Sequence, residues 1–193
     1  MFALITAGAL GLHVATAAAG GYSTGTTLHI SNAAGGQDCS AIGVWNSATL
    51  TCTLTGDVTM TAAVDGIHID SDGVTLDGNG HSLTGTGALS TYGVYLSGRT
   101  GVTIKNLNVT NFYDGIYLSN SSNNTVSGNT ASSNSAFGIV PSTSSNNTIL
   151  GNADGTNNFC GTITYPRAQL KIHSAPAAGS VAHLRAILRD WQA

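Results

Sequence analysis

One short segment of this chain is written four times at near-constant spacing, and that confines the fold more than any other feature. Gly93-Val94-Tyr95-Leu96 returns as Gly115-Ile116-Tyr117-Leu118 after 22 residues and as Gly138-Ile139-Val140-Pro141 after a further 23. An earlier copy, Gly66-Ile67-His68-Ile69, stands 27 residues before the first. A second segment keeps step with it: Val74-Thr75-Leu76, Val102-Thr103-Ile104, Asn124-Thr125-Val126 and Asn147-Thr148-Ile149. A unit this small cannot bury its own apolar side, so each copy must stack on the next. The expected fold is an all-β solenoid of about four coils, one for each copy.

Short β-branched triplets between Gly, Asn and Ser clusters read as strands and turns, three strands to a coil. In the coil that starts at Thr91 these are Val94-Tyr95-Leu96, Val102-Thr103-Ile104 and Leu107-Asn108-Val109. Side chains alternate along a strand, and parallel neighbours lie roughly 4.8 Å apart. Equivalent residues therefore form columns. Leu76, Ile104, Val126 and Ile149 are expected to file along the interior, with Thr75, Thr103, Thr125 and Thr148 outside. Val74 and Val102 should lie over Asn124 and Asn147, whose inward amides are expected to bond each other and the turn backbone. Buried without partners, each would cost a few kcal/mol.

Composition excludes several roles. Of 193 residues only 8% are charged, and every acid is Asp. Net charge is −3, and Arg99 and Lys105 are the only Lys or Arg residues between Gly20 and Tyr165. That is no footprint for nucleic acid. Residues Phe2 to Ala19 are small and apolar and offer A-x-A sites at Ala15-Thr16-Ala17 and Ala17-Ala18-Ala19, so residues 1–19 read as a secretory signal. The stretch is too short and too rich in Ala and Gly for a membrane span, and none is expected in the mature chain. The location that follows is secreted or cell-surface.

Four parts follow along the chain: the signal (1–19), a lead-in with one strand from Thr27 to Ile30 (20–50), the parallel repeats (51–164) and a tail (165–193). Cys39 and Cys52 flank an expected turn from Gly43 to Ser47. In an exported chain they form a disulfide; the alternative is two buried thiols. Such a loop closure stabilises by roughly 3 kcal/mol. Cys160 is left over, near the end of the repeats. The tail holds Arg167, Lys171, Arg185 and Arg189, and Ser180 could open a short helix with Val181, Leu184, Leu188 and Trp191 along one face. It reads either as a cap over the last coil, which would otherwise expose edge strands, or as sequence foreign to the fold.

The segments GVTLDGNGHSLTG (73–85), YGVYLSGRTGVTIKNLNVTNF (92–112) and DGIYLSNSSNNTVSGNTASSN (114–134) carry a family resemblance. The chain resembles the right-handed parallel β-helix proteins of the pectin-lyase-like superfamily, in the style of their secreted NosD-like repeat domains. The resemblance spans roughly residues 38–158, and DCSAIGVWNSATLTCTLTGDV (38–58) is similar to the cysteine-paired entry of such domains. It implies the fold, whereas activity varies across the superfamily, which holds lyases, hydrolases, epimerases, adhesins and non-catalytic scaffolds.

Three functional classes suit such a fold. A lyase of this superfamily is expected to use acidic calcium ligands and an Arg or Lys base; the candidates are Asp72, Asp77 and Arg99. Calcium enters only under this reading, and no other cofactor is expected. Asp65, Asp70, Asp72 and Asp77 form the one acidic cluster, but Asp70-Ser71-Asp72-Gly73 and Asp77-Gly78-Asn79-Gly80 are turn sequences. The Gly-His-Gly and Arg-x-Lys of polygalacturonases do not occur. The second class is glycan contact along an outward row of His68, Tyr95 and Tyr117, whose rings offer apolar faces with polar tips. The plain alternative is that these rings only stabilise adjacent strands. The third is a structural or surface-display module. The NosD-like resemblance also implies copper, for which His68, His81 and Asp65 are the nearest set, but the two histidines fall on different strands without soft ligands nearby. No metal ligand is therefore expected. A single Thr row is too narrow for ice. Sequons stand at Asn108, Asn120, Asn123 and Asn146. The favoured reading is a non-catalytic β-helix domain, structural or carbohydrate-contacting, with a polysaccharide or cell-surface glycan as partner. The alternative is a divergent pectate-lyase-like enzyme or a fragment of one.

Overall fold

A computed structural model describes residues 21–153, 155–157 and 172–173. The expected signal, Cys160, and the tail apart from 172–173 lie outside the described residues. The chain winds as a parallel β-solenoid of about four coils with three sheets along its length. The first sheet stacks Tyr22–Thr24, Val58–Met60, Ser82–Thr84, Asn108–Thr110 and Thr130–Ser132. The second stacks Gly43–Asn46, Thr51–Leu54, Thr75–Asp77, Thr103–Lys105, Thr125–Ser127, Thr148–Leu150 and Ile172–His173. The third stacks Leu28–Ile30, Ile67–Ile69, Tyr92–Ser97, Asp114–Ser119 and Ile139–Ser142. Among these strands the pairing is parallel except between Gly43–Asn46 and Thr51–Leu54, which form an antiparallel hairpin.

The expected columns form. Leu76, Ile104, Val126 and Ile149 pair in register and are all buried. Thr75, Thr103, Thr125 and Thr148 pair in register on the outer side of the same sheet. The interior is aliphatic, and Phe112 is its largest fully buried side chain.

Each coil turns its corners on residues in the left-handed region. At the corner before the second sheet these are Gly73 (φ 71°), Gly101 (φ 68°), Asn123 (φ 59°) and Asn146 (φ 56°). Only Gly, and Asn among the ordinary residues, visits this region at low cost. The Gly that opens the repeated third-sheet segment has a different cause. A Cβ on Gly93 would stand 2.5 Å from the carbonyl oxygen of Gly115, and one on Gly115 would stand 2.5 Å from that of Gly138. Neighbouring coils approach too closely there for any side chain.

Asparagine holds the later corners. Asn124 Oδ1 accepts from the Val102 N–H at 2.8 Å while its Nδ2 donates to the Arg99 carbonyl at 3.0 Å. Asn129 does the same to Leu107 N–H and Ile104 carbonyl, and Asn134 to Phe112 N–H and Val109 carbonyl. One coil later Asn147, Asn152 and Asn157 repeat the pattern. The inward amides thus bond mainly to the backbone of the preceding coil, and Asn129 and Asn152 also join side chain to side chain, at 2.9 Å. Among the described residues no buried side-chain polar atom lacks a partner.

The lead-in departs from expectation: besides Leu28–Ile30 it holds a strand at Tyr22–Thr24, paired in parallel with Val58–Met60. Gly43–Asn46 is a strand rather than a turn. The reversal falls at residues 47–50, where Asn46 Oδ1 accepts the N–H groups of Ala48 and Thr49. Gly43 fits the strand because its backbone is extended and packs against Thr53. Cys39, on the short helix Cys39–Ile42, is disulfide-bonded to Cys52 on the facing strand. This hairpin and helix lie in the stretch that sets a 39-residue offset between Leu28-His29-Ile30 and Ile67-His68-Ile69, which pair as adjacent rungs.

Candidate functional site

The outer side of the third sheet carries a row of aromatic and imidazole side chains. His29, His68, Tyr95 and Tyr117 occupy one register position on successive strands. The rings touch in sequence: His29 to His68 edge-on at 5.3 Å, His68 to Tyr95 at 4.9 Å, and Tyr95 to Tyr117 at 6.0 Å. Tyr92 lies over both tyrosines, stacked on Tyr95 at 5.2 Å and 4.5 Å from Tyr117. The row ends where Val140 pairs with Tyr117. The predicted row of His68, Tyr95 and Tyr117 is therefore contiguous. His29 and Tyr92 extend it.

Carboxylates surround the histidine end. Asp70 Oδ2 is 2.6 Å from His29 Nδ1, and Asp65 Oδ2 is 2.8 Å from His68 Nε2. The other Asp65 oxygen accepts the Tyr92 N–H at 2.8 Å, so this carboxylate is fixed at both ends. Asp38 brackets His29, accepting its N–H at 2.8 Å while its own N–H donates to the His29 carbonyl. Ligand atoms of His29, His68 and Asp70 all lie within 4.8 Å of one another. Two ligands on one d-block ion stand at most about 4 Å apart, twice a metal–nitrogen bond. Sub-ångström side-chain adjustment would close this triad on an ion. Two imidazoles and a carboxylate suit copper or zinc.

Burial raises the pKa of the Tyr92 phenol, and the charges of Tyr117, Asp114, Asp65 and Tyr95 raise it further. Asp114, one coil on from Tyr92, is buried and accepts the Phe137 N–H at 3.1 Å. Desolvation pushes its carboxyl above the usual range, and that hydrogen bond only partly opposes the shift.

The lyase candidates are engaged in turns and strand pairing, and Arg99 also reaches the backbone of Asp70. Arg99 donates from Nε to the Ser97 carbonyl and from Nη1 to the Asp70 carbonyl, with Asp72 Oδ1 at 4.0 Å. Asp72 accepts the Thr100 N–H. Asp77 sits on the second sheet, ion-paired to Lys105 at 3.0 Å and bonded to Asn79 N–H and Asn106 Nδ2. Burial would raise its pKa, but these bonds and the Lys105 charge outweigh it and hold the carboxyl below its ordinary value.

Of the copper set considered from sequence, the structure joins Asp65 to His68 but places His81 beside Asp57, at 3.4 Å. The histidine that meets His68 is His29. Its signal is the triplet Leu28-His29-Ile30, which matches Ile67-His68-Ile69 out of period.

The family described as "Periplasmic copper-binding protein (NosD)" matches residues 12–164, well over half of the chain. No curated protein and no solved structure matches significantly. Among the described residues no helix is long and apolar enough to cross a membrane.

Proposed function

The chain belongs to the NosD family, and we propose that it is an extracytoplasmic, non-catalytic β-helix domain that binds copper at the histidine end of its third sheet. The observation that carries this reading is the convergence of His29, His68 and Asp70 within 4.8 Å. The family's description supports copper as the ion. The two imidazoles and the Asp70 carboxylate would hold it, and Asp65 would orient His68. The disulfide between Cys39 and Cys52 supports an oxidising compartment. Equilibrium dialysis against copper tests the reading. The wild type should bind one equivalent that His29→Ala and His68→Ala lose and His81→Ala keeps. Equal uptake by all four proteins would refute it.

The absence of catalysis is inferred from the candidate groups, since Arg99, Asp72 and Asp77 all support turns or strand pairs. An assay on polyuronates with and without calcium, read by absorbance of the unsaturated product, checks this. Turnover lost in Asp72→Ala or Arg99→Ala would establish a lyase instead.

A second reading, carbohydrate contact, is favoured by the half-exposed rings of Tyr92, Tyr95 and Tyr117 lying side by side. Such rings stack on sugar faces while their hydroxyls bond at the rim. Titration of uronate and neutral oligosaccharides into the wild type and Tyr95→Ala/Tyr117→Ala decides it. No binding to the wild type removes this reading.

A further inference from the structure

The donor set also bears on which oxidation state of copper this face would take, an inference that rests on the copper reading above. We propose that the site is built for Cu(II) rather than Cu(I), with Asp70 as the ligand that discriminates and Asp65 as the positioning residue that fixes His68. Soft thiolate and thioether ligands select Cu(I), whereas carboxylate oxygen is a hard donor that favours the dication. Asp70, in the turn after Ile67–Ile69, lies 2.6 Å from His29 on the neighbouring strand, so both can turn to one ion. Its carboxylate charge is the one feature of the triad that a monocation would use least.

Asp65 acts one step back. Its Oδ2 faces His68 Nε2, so in the neutral ring the proton sits on Nε2 and the lone pair on Nδ1. Ring orientation and tautomer are both set, because the second Asp65 oxygen is tied to the Tyr92 N–H of the next coil. A carboxylate behind a ligating histidine is worth about 10–100-fold in metal affinity. The Tyr92–Tyr95 stack closes the far side of His68 and keeps the imidazole from swinging away from His29.

The test separates this inference from the site itself. Cu(II) is titrated into the protein and followed by electron paramagnetic resonance, and Cu(I) affinity is measured by competition with a Cu(I)-specific chelator. Circular dichroism melts confirm that each variant is folded. The wild type should show imidazole nitrogen couplings that weaken in His29→Ala and in His68→Ala. Asp70→Ala should weaken Cu(II) binding by about tenfold or more and leave Cu(I) affinity nearly unchanged. Asp65→Asn should weaken Cu(II) binding by about 10–100-fold while the His29 coupling persists. Tighter binding of Cu(I) by the wild type would overturn the inference and leave the copper site standing. So would an equal loss of both ions in Asp70→Ala. If neither ion binds, the site and the inference fall together.

Discussion

Asn129 provides the sharpest test of how the coils hold together. It is 1% exposed, and its side chain makes bonds in both directions along the stack. Oδ1 accepts the Leu107 N–H at 3.0 Å; Nδ2 donates to the Ile104 carbonyl at 3.0 Å and to Asn152 Oδ1 at 2.9 Å. Leu107 is itself fully buried at a corner between two strands, so water cannot replace the lost acceptor. In Asn129→Ala that N–H is stranded at about 1–3 kcal/mol, and the two donated bonds contribute about 0.5–1.5 kcal/mol each. A destabilisation of about 2–6 kcal/mol follows, some 6–18 °C in melting temperature at about 3 °C per kcal/mol for a domain of this size. Thr125→Ala is the control. It lies on the outer face two residues from the corner, and its loss should stay within about 0.5 kcal/mol. Thermal and urea melts of both variants check the difference. Equal melting temperatures would show that the asparagine columns fill space without bonding the coils. Because repeats can unfold piecemeal, coincident transitions by far-ultraviolet dichroism and Tyr fluorescence should accompany the fit.

The remaining predictions concern glycine, charge and the disulfide. Gly115→Ala should destabilise by about 1–3 kcal/mol, since its Cβ would meet the Gly138 carbonyl at 2.5 Å. Gly98→Ala, with open space around it and a φ of 65°, should cost only about 1 kcal/mol; chemical denaturation of the pair tests whether close approach outweighs backbone strain. Asp114→Asn should stabilise at neutral pH. Its folded carboxyl titrates above the unfolded one, so the native state loses stability as pH rises through that window, and the advantage of Asn should vanish in acid. Asp77→Asn should behave oppositely, costing stability at neutral pH and nothing once the carboxyl is protonated, because its folded value is depressed. Melts from pH 3 to pH 8 read both signs. Replacing Cys39 and Cys52 by Ser should cost roughly 3 kcal/mol, and wild-type protein melted in reductant should match that variant.

The coil body was legible because its causes are local and periodic. The interior file of Leu76, Ile104, Val126 and Ile149 follows from alternation and a fixed offset, and the structure pairs these residues directly. The corner role of Asn124 and Asn147 could be read because they stand where Val74 and Val102 stand in earlier coils. Asn129, Asn134, Asn152 and Asn157 follow the same rule at the other corners, at five-residue intervals, a signal present in the sequence but lying between the strand triplets. The hairpin from Gly43 to Leu54 was not legible. Gly and Asn mark turns in the repeats, while Gly43 and Asn46 here bound a strand whose partner is set by the disulfide and by packing of Gly43 on Thr53.

The same interruption explains why half of the candidate site was hidden. The regular offset links His68 to Tyr95 and Tyr117, so the tyrosine side of the row could be written down from the sequence. His29 precedes His68 by 39 residues because the helix and hairpin are inserted between their strands. Only the closed insertion returns the chain to register and lays one imidazole against the other. Asp70 reaches His29 from the turn that follows the second of these strands, so all three donors depend on the insertion's geometry. It follows that opening the Cys39–Cys52 bond should weaken copper binding without any ligand being changed. Dialysis of the reduced protein at a temperature where its dichroism is still native would test this. Undiminished copper uptake there would mean that the first coil stays in register through its strand pairing alone.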